Sequence, residues 1–419
     1  MKTNSIFKKS ILVASILAVT ACSSSDDTLS GLTTDTSAQT SSKTVGVITG
    51  FGSIYVNGVK YETDSASVEI DGASSIETSL GIGDVITLEG TVNPDGTTGV
   101  ATAVVCTDEV EGYVLDTSGL LGDGTGQLNV MGQTIMVTAD TVFDSDTLAS
   151  ITDLTALDIV EVSGFPDGSG TILATRIETK NAAEDVEVKG VISALDTTAL
   201  TFEIGDLTVD YTNASEVPAD LADGLFVEVK TETTLSGDLN SGFVLNATKV
   251  EIEDDDSDFD GSEGDEIEMQ GVVSGIDETG FSFNGSRVEF SSLDLEDDFD
   301  ITSLVDGTMI TVEGYIDADG NFIVEEIEEE HESEDEVEGT VTAISETGLT
   351  ILVDGTTEKT FTVNNDTRMI DEQDENVEPL HYFSLADISV GNFVEVEYFT
   401  DEDGNDIATE LKREDAPQS

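Results

Sequence analysis

The sequence predicts an all-β protein made of five tandem, small, five-stranded barrels joined by acidic connectors. Three observations carry that prediction. Short Val-, Ile- and Phe-rich runs alternate with Glu, Asp and Thr at a period of two, the mark of half-buried strands. Gly, Asn-Gly and Asp-Gly turns bound those runs. The pattern then recurs five times at a step of roughly 65–80 residues, the size of one small domain.

Three anchors define the repeat. The first is a Gly followed two residues later by a large side chain: Gly46-Val47-Ile48, Gly112-Tyr113-Val114, Gly190-Val191-Ile192, Gly271-Val272-Val273 and Gly339-Thr340-Val341. The second is an alternating strand with its approach turn, starting at Leu80, Leu154, Leu221, Leu304 and Ile388. Gly follows three positions on at Gly83, Gly224, Gly307 and Gly391, where a turn with positive φ is expected; Leu157 is the exception. The third closes the unit: Ala101-Thr102-Ala103-Val104, Ala174-Thr175-Arg176-Ile177, Ala247-Thr248-Lys249-Val250, Val324-Glu325-Glu326-Ile327 and Ala408-Thr409-Glu410-Leu411.

Between the first two anchors each unit holds two more short runs. Examples are Ser53–Val56 with Lys60–Glu62, and Phe281–Phe283 with Arg287–Phe290. Five strands per unit form an antiparallel sheet that must hide its edges, and closure into a barrel does so. The expected fold is therefore five OB-like barrels in a row, with a seven-strand sandwich as the structural alternative. The expected boundaries are an export signal at 1–21, a flexible tether at 22–43, and repeats at 44–107, 108–180, 185–252, 266–329 and 336–414. Acidic linkers fall at 253–265 and 330–335.

The run Val47-Ile48-Thr49-Gly50-Phe51-Gly52-Ser53-Ile54-Tyr55-Val56-Asn57-Gly58, with Gly83–Gly90 and Ala101–Val104, carries a family resemblance. It resembles an uncharacterised bacterial repeat, domain of unknown function family 5666. The resemblance covers most of residues 44–414, strongest in units one and four. It is loosest in unit five, where an insert near Arg368 to Phe383 departs from the pattern. It implies OB-like barrels on an exported chain and brings no activity and no catalytic residues.

The N-terminus reads as an export signal. Lys2, Lys8 and Lys9 precede the apolar run Ile11–Ala21, which is too short to span a bilayer, since that takes about 20 residues. Val19-Thr20-Ala21-Cys22 resembles the lipobox of bacterial lipoproteins. That resemblance implies cleavage before Cys22 and acylation of its thiol, so fatty chains hold the protein on a membrane. Ser23, where enterobacterial inner-membrane retention uses Asp, points to the outer membrane of the cell envelope. Residues 23–43 are Ser-, Thr- and Asp-rich and read as a tether.

Composition narrows the function classes. Lys and Arg number 15 against 89 Asp and Glu, a net charge of −74. Nucleic acid is excluded as an expected partner, because phosphates are bound by Lys and Arg. Such a field keeps the chain soluble and repels its own parts, so cations are expected to matter. With Cys22 acylated, Cys106 has no intrachain partner and reads as a small buried hydrophobe.

The sharpest candidate site is the connector Asp254–Glu263. Asp256, Asp258, Asp260 and Gly261 match the opening of a calcium loop, with Glu263 as a further oxygen donor. The match ends at Ile267, where a bidentate Glu is required, and a solvated acidic linker is the competing reading. His331, inside the acidic run Glu325–Glu338, reads as solvated, and His381 as a packed loop residue. No G-x-S-x-G, H-E-x-x-H, P-loop or C-x-x-C is present. The expected function is a non-enzymatic envelope lipoprotein, a spacer or binding array with a protein or glycan partner. A calcium-responsive module and an envelope glycan hydrolase are the alternatives. The hydrolase ranks last, because the chain has no Trp to platform a sugar.

Overall fold

The structure, a computed structural model, describes residues 40–415 apart from 95, 146, 169, 181–185, 232–234, 239–241, 253–261, 285, 294, 296–298, 300, 303, 319–320, 330–334, 346, 354, 372–382 and 402–403. Strands dominate, with four short 3-10 turns and no helix long and apolar enough to cross a membrane among the described residues.

Unit one shows the barrel in full. Its strands are Thr40–Gly50, Ile54–Val56, Val59–Glu62, Val85–Val92 and Thr98–Cys106. First pairs with second and second with third, both antiparallel. Third runs parallel to fifth, fifth pairs with fourth, and fourth returns to first. That closed circuit is the OB topology. Unit two repeats it with Val110–Leu120, Gly126–Val130, Gln133–Val137, Ile159–Pro166 and Thr171–Lys180. Unit five repeats it with Asp335–Ser345, Gly348–Val353, Thr357–Thr362, Phe393–Thr400 and Asp406–Glu414.

Units three and four keep the circuit with local breaks. In unit three the first strand splits into Val186–Val191 and Ser193–Asp196. Its middle strands are Thr201–Ile204, Leu207–Asp210 and Phe226–Thr231, and its fifth splits into Gly242–Asn246 and Lys249–Ile252. Unit four uses Glu266–Ser274, Gly280–Phe283, Ser286–Glu289, Met309–Ile316 and Phe322–Glu329; among the described residues its third strand makes no ladder with the fifth, and the segment after it reaches the fifth through a parallel bridge between Leu293 and Val324.

Local chemistry explains the turns. Gly83, Gly224, Gly307 and Gly391 all have φ near +90° to +100°, and Leu157 adopts φ 76° at the same place. An L side chain there costs about 1–2 kcal/mol per residue. Gly90, Gly164 and Gly314 sit at a bulge between fourth and fifth strands, where a Cβ would strike the carbonyl oxygen of Val100, Leu173 or Ile323.

Three features differ from the expectation. The first strand begins at Thr40, so residues 40–43 belong to a barrel rather than to the tether. Ser42 and Thr44 are buried there because strands flank them on both sides. Each unit also adds a segment parallel to its fifth strand: Ser67–Ile70, Val142–Asp144, Glu216, Leu293 and Arg368–Asp371. Arg368–Asp371 is thus a regular part of unit five, not the start of its insert. Finally, units two and three share one continuous core, from Val130 and Ile135 to Phe202 and Val229. Their hairpin tips meet, Asp206 N–H donating to the Gly132 carbonyl at 3.0 Å, and Met131 is buried in the shared core against Gly112.

Candidate functional site

Order in sequence is not order in space. The first strand of unit one lies parallel to that of unit four, Ser42 opposite Glu266 and Val45 opposite Met269. The first strands of units two and three also meet, with Glu111 opposite Glu187 and Val110 opposite Val188. Both seams use the residues just before the anchor glycine.

Units one, two and four meet at a small apolar contact of Val47, Phe165 and Val272. Polar groups frame it. Val47 N–H donates to Gln270 Oε1 at 3.1 Å, and Val85 N–H to Ser163 Oγ at 2.9 Å. Ser274 Oγ donates to the Asp167 carbonyl at 2.6 Å. An unmet backbone donor in such a place costs about 1–3 kcal/mol, so these side chains specify the docking.

Two arginines pin further joints. Arg176 of unit two faces Asp84 of unit one at 3.2 Å, donates to the Ile82 carbonyl, and reaches Asp144 and Glu178 of its own barrel. Arg368 of unit five donates to the Asp140 carbonyl of unit two, meets the Asp140 carboxylate at 3.2 Å, and faces buried Glu410 at 3.1 Å. Beside it, Asn365 Nδ2 donates to the Gly58 carbonyl of unit one, and its own carbonyl accepts from Thr49.

The link between units one and two is an acidic joint. Asp108 is buried, its N–H held by Asp71 and its carbonyl by Lys189 Nζ of unit three at 2.8 Å. Burial, then the charges of Glu161, Asp71 and Asp84, push its carboxyl well above the usual range. Burial raises Asp84 to about 6 against the pull of Arg176, and burial with Glu161 raises Glu111 to about 7. Burial also raises Glu228 of unit three to about 7, with Glu187 adding to it.

Unit five carries an open groove of about 470 Å³ along its first strand, lined by Val337, Leu352, Val353 and Phe393 with Glu336 and Glu338. Glu336, Glu338 and Glu395 bring carboxylate oxygens within 4.8 Å of one another. A second trio is Glu395, Glu397 and Glu410, but Lys412 bridges Glu395 and Glu410 at 3.0 Å each.

Of the residues singled out in the sequence, Cys22, Asp256, Asp258, Asp260, His331 and His381 lie outside the described residues. Glu263 is exposed in a turn from Ser262 to Asp265, where Ser262 N–H donates to the Asp265 carboxylate at 2.8 Å. Cys106 is buried and its thiol is pushed up by burial, which fits a packed hydrophobe rather than a nucleophile. The residues that join the barrels, Arg176, Arg368, Asn365 and Gln270, carried no motif. One signal was available: the third residue of the closing anchor changes charge between repeats, and both Arg176 and Glu410 occupy it.

A family model described as "Domain of unknown function (DUF5666)" matches residues 44–104, 111–178, 189–251, 270–328 and 338–412. No curated protein matches the chain. Among solved structures, CSD456 of drosophila Unr is 15% identical with a TM-score of 0.12, covering 54% of this chain and 95% of that one. A multidomain protein with nucleic acid binding domains from Streptococcus pneumoniae is 10% identical with a TM-score of 0.13, covering 56% of this chain and 74% of that one.

Proposed function

Because the chain belongs to the domain of unknown function family DUF5666, as five copies in one polypeptide, we propose that it is a non-enzymatic, lipid-anchored envelope protein whose barrels form one platform for binding. The seam between units one and four carries this reading. Barrels that share a sheet across more than two hundred residues cannot pay out as a string, so a platform fits better than a spacer. The missing catalytic motifs support the non-enzymatic part, and the export signal with Cys22 supports the anchor. Calcium at Asp256, Asp258, Asp260 and Glu263 remains a sequence-based alternative.

Cutting the connector tests the platform. A protease site placed within residues 253–261 divides units one to three from units four and five. The two pieces should still elute together at physiological salt; pieces that separate on cleavage contradict the reading. The anchor has its own test. Palmitate should label the native chain and not the Cys22→Ala variant, and a native chain without label contradicts acylation.

A further inference from the structure

Unit five is the one barrel whose first-strand edge faces no other strand among the described residues. In the other four units, the residues before the anchor glycine pair with another unit: 42–45 before Gly46 with 266–269 before Gly271, and Val110-Glu111 before Gly112 with Glu187-Val188 before Gly190. The equivalent stretch in unit five is Asp335-Glu336-Val337-Glu338, before Gly339. Its fourth strand pairs along one side, from Asp335 to Thr340. Along the other side the second strand begins its pairing only at Gly339, opposite Val353. The open groove lies over that uncovered length. Exposed edges are templates for another strand.

We propose that this edge binds an extended, cationic segment of another protein, which adds as a strand beside Asp335–Glu338. Backbone hydrogen bonds would give affinity and alternate side chains would give selectivity. One set of those side chains meets the apolar floor of Val337, Leu352, Val353 and Phe393. The other set meets Glu336, Glu338 and Glu395, whose carboxylates converge. Lys or Arg at alternate positions answers them.

The seams inside the chain argue for that charge. Where Glu111 lies opposite Glu187, Lys230 meets Glu187 at 2.6 Å and Lys189 stands 3.7 Å from it. Where unit one meets unit four, Lys43 lies opposite Ile267, on the other face of the sheet from Glu266 and Glu268, which lie opposite the small neutral side chains of Ser42 and Thr44. The seam of units two and three therefore brings lysine to acid, and at the seam of units one and four the acids face no acid across the strands. Unit five's edge supplies acid; among the described residues Lys412 answers Glu395 and is shared with Glu410. A second copy is the poorer occupant: Glu336 and Glu338 from each edge would face their counterparts with Glu395 behind them, and like charges directly opposite destabilise a strand pair. The N-terminal tail of this chain is poorer still, since residues 23–39 hold Asp26, Asp27 and Asp35 and no Lys or Arg.

The probe is a labelled heptapeptide alternating Lys and Val, titrated by fluorescence anisotropy with the mature chain at physiological salt. The double variant Glu336→Lys with Glu338→Lys should weaken binding about tenfold or more, as should the neutral pair Glu336→Gln with Glu338→Gln to a smaller degree. Methylating alternate backbone nitrogens of the peptide, with its charge unchanged, should abolish binding, because strand addition needs those donors. Hydrogen exchange should slow at 335–338. Equal binding by the methylated peptide, equal binding by the double variant, or no binding at all overturns the proposal. A concentration-dependent dimer that the double variant abolishes would assign the edge to a second copy and equally overturn it. None of these outcomes depends on the lipid anchor.

Discussion

In unit four, the residues before Gly271 lie in register against unit one, Glu266 opposite Ser42 and Met269 opposite Val45. In unit five, the residues before Gly339 meet no second strand among the described residues. The two barrels share topology, turn chemistry and the alternation of their first strands. Unit four joins the body through a sheet, whereas unit five joins it through side chains, chiefly Arg368 on Asp140 and Asn365 on Gly58. The repeat thus specifies a barrel, and the few residues that break the repeat specify how barrels meet.

That contrast can be broken most forcefully at Arg368. Arg368→Ala should cost about 3–5 kcal/mol, because it leaves Glu410 buried with less positive charge. Calorimetry should show unit five melting as an early, separate transition while units one and four stay together. At the three-unit contact, Phe165→Ala should cost about 3–4 kcal/mol by emptying a packed site, read as a lower denaturant midpoint. If Phe165→Ala left the midpoint unchanged, the apolar contact would not hold the body.

Acidity should act on the joint of units one and two. Asp84, Asp108 and Glu111 have folded values raised above their ordinary values near 4. The fold therefore favours their protonated forms. The stability they contribute is full below pH 4 and is lost as pH rises through about 6 to 7. The protein should be more stable at pH 5 than at pH 8, read as a higher denaturant midpoint at the lower pH. An Asp84→Asn variant should flatten the profile; a rise in stability with pH over that range would contradict the placement of these groups.

Smaller effects sharpen the same picture. Gln270→Leu should cost about 1–2 kcal/mol by leaving Val47 N–H without its acceptor, and hydrogen exchange at Val47 should speed up. Leu157→Gly should do the reverse and stabilise unit two by about 1 kcal/mol, since the turn already requires positive φ. Destabilisation by that change would mean the exposed Leu157 side chain has a role in packing.

The barrel was legible because its causes are local. Period-two alternation, Gly at the approach turn and Gly at the bulge each act within a few residues, and each recurs in register. Even Leu157, the one misfit among the turn glycines, takes the backbone shape that the repeat requires. The seams were not legible, because Ser42 and Lys43 look like tether until unit four lies beside them. Arg176, Gln270 and Arg368 were equally silent, since each acts on a partner in another unit. The short strands parallel to the fifth, such as Val142–Asp144, are too brief to show alternation.

Small-angle scattering of the mature chain tests the central claim most directly. A compact body of this size should have a radius of gyration of about 21 Å, whereas five barrels strung in a row would give about 40 Å. The account predicts a value close to the smaller figure, with a modest increase from the N-terminal tail. A value near the larger one would mean that the barrels do not pair, and the shared sheet of units one and four would be wrong.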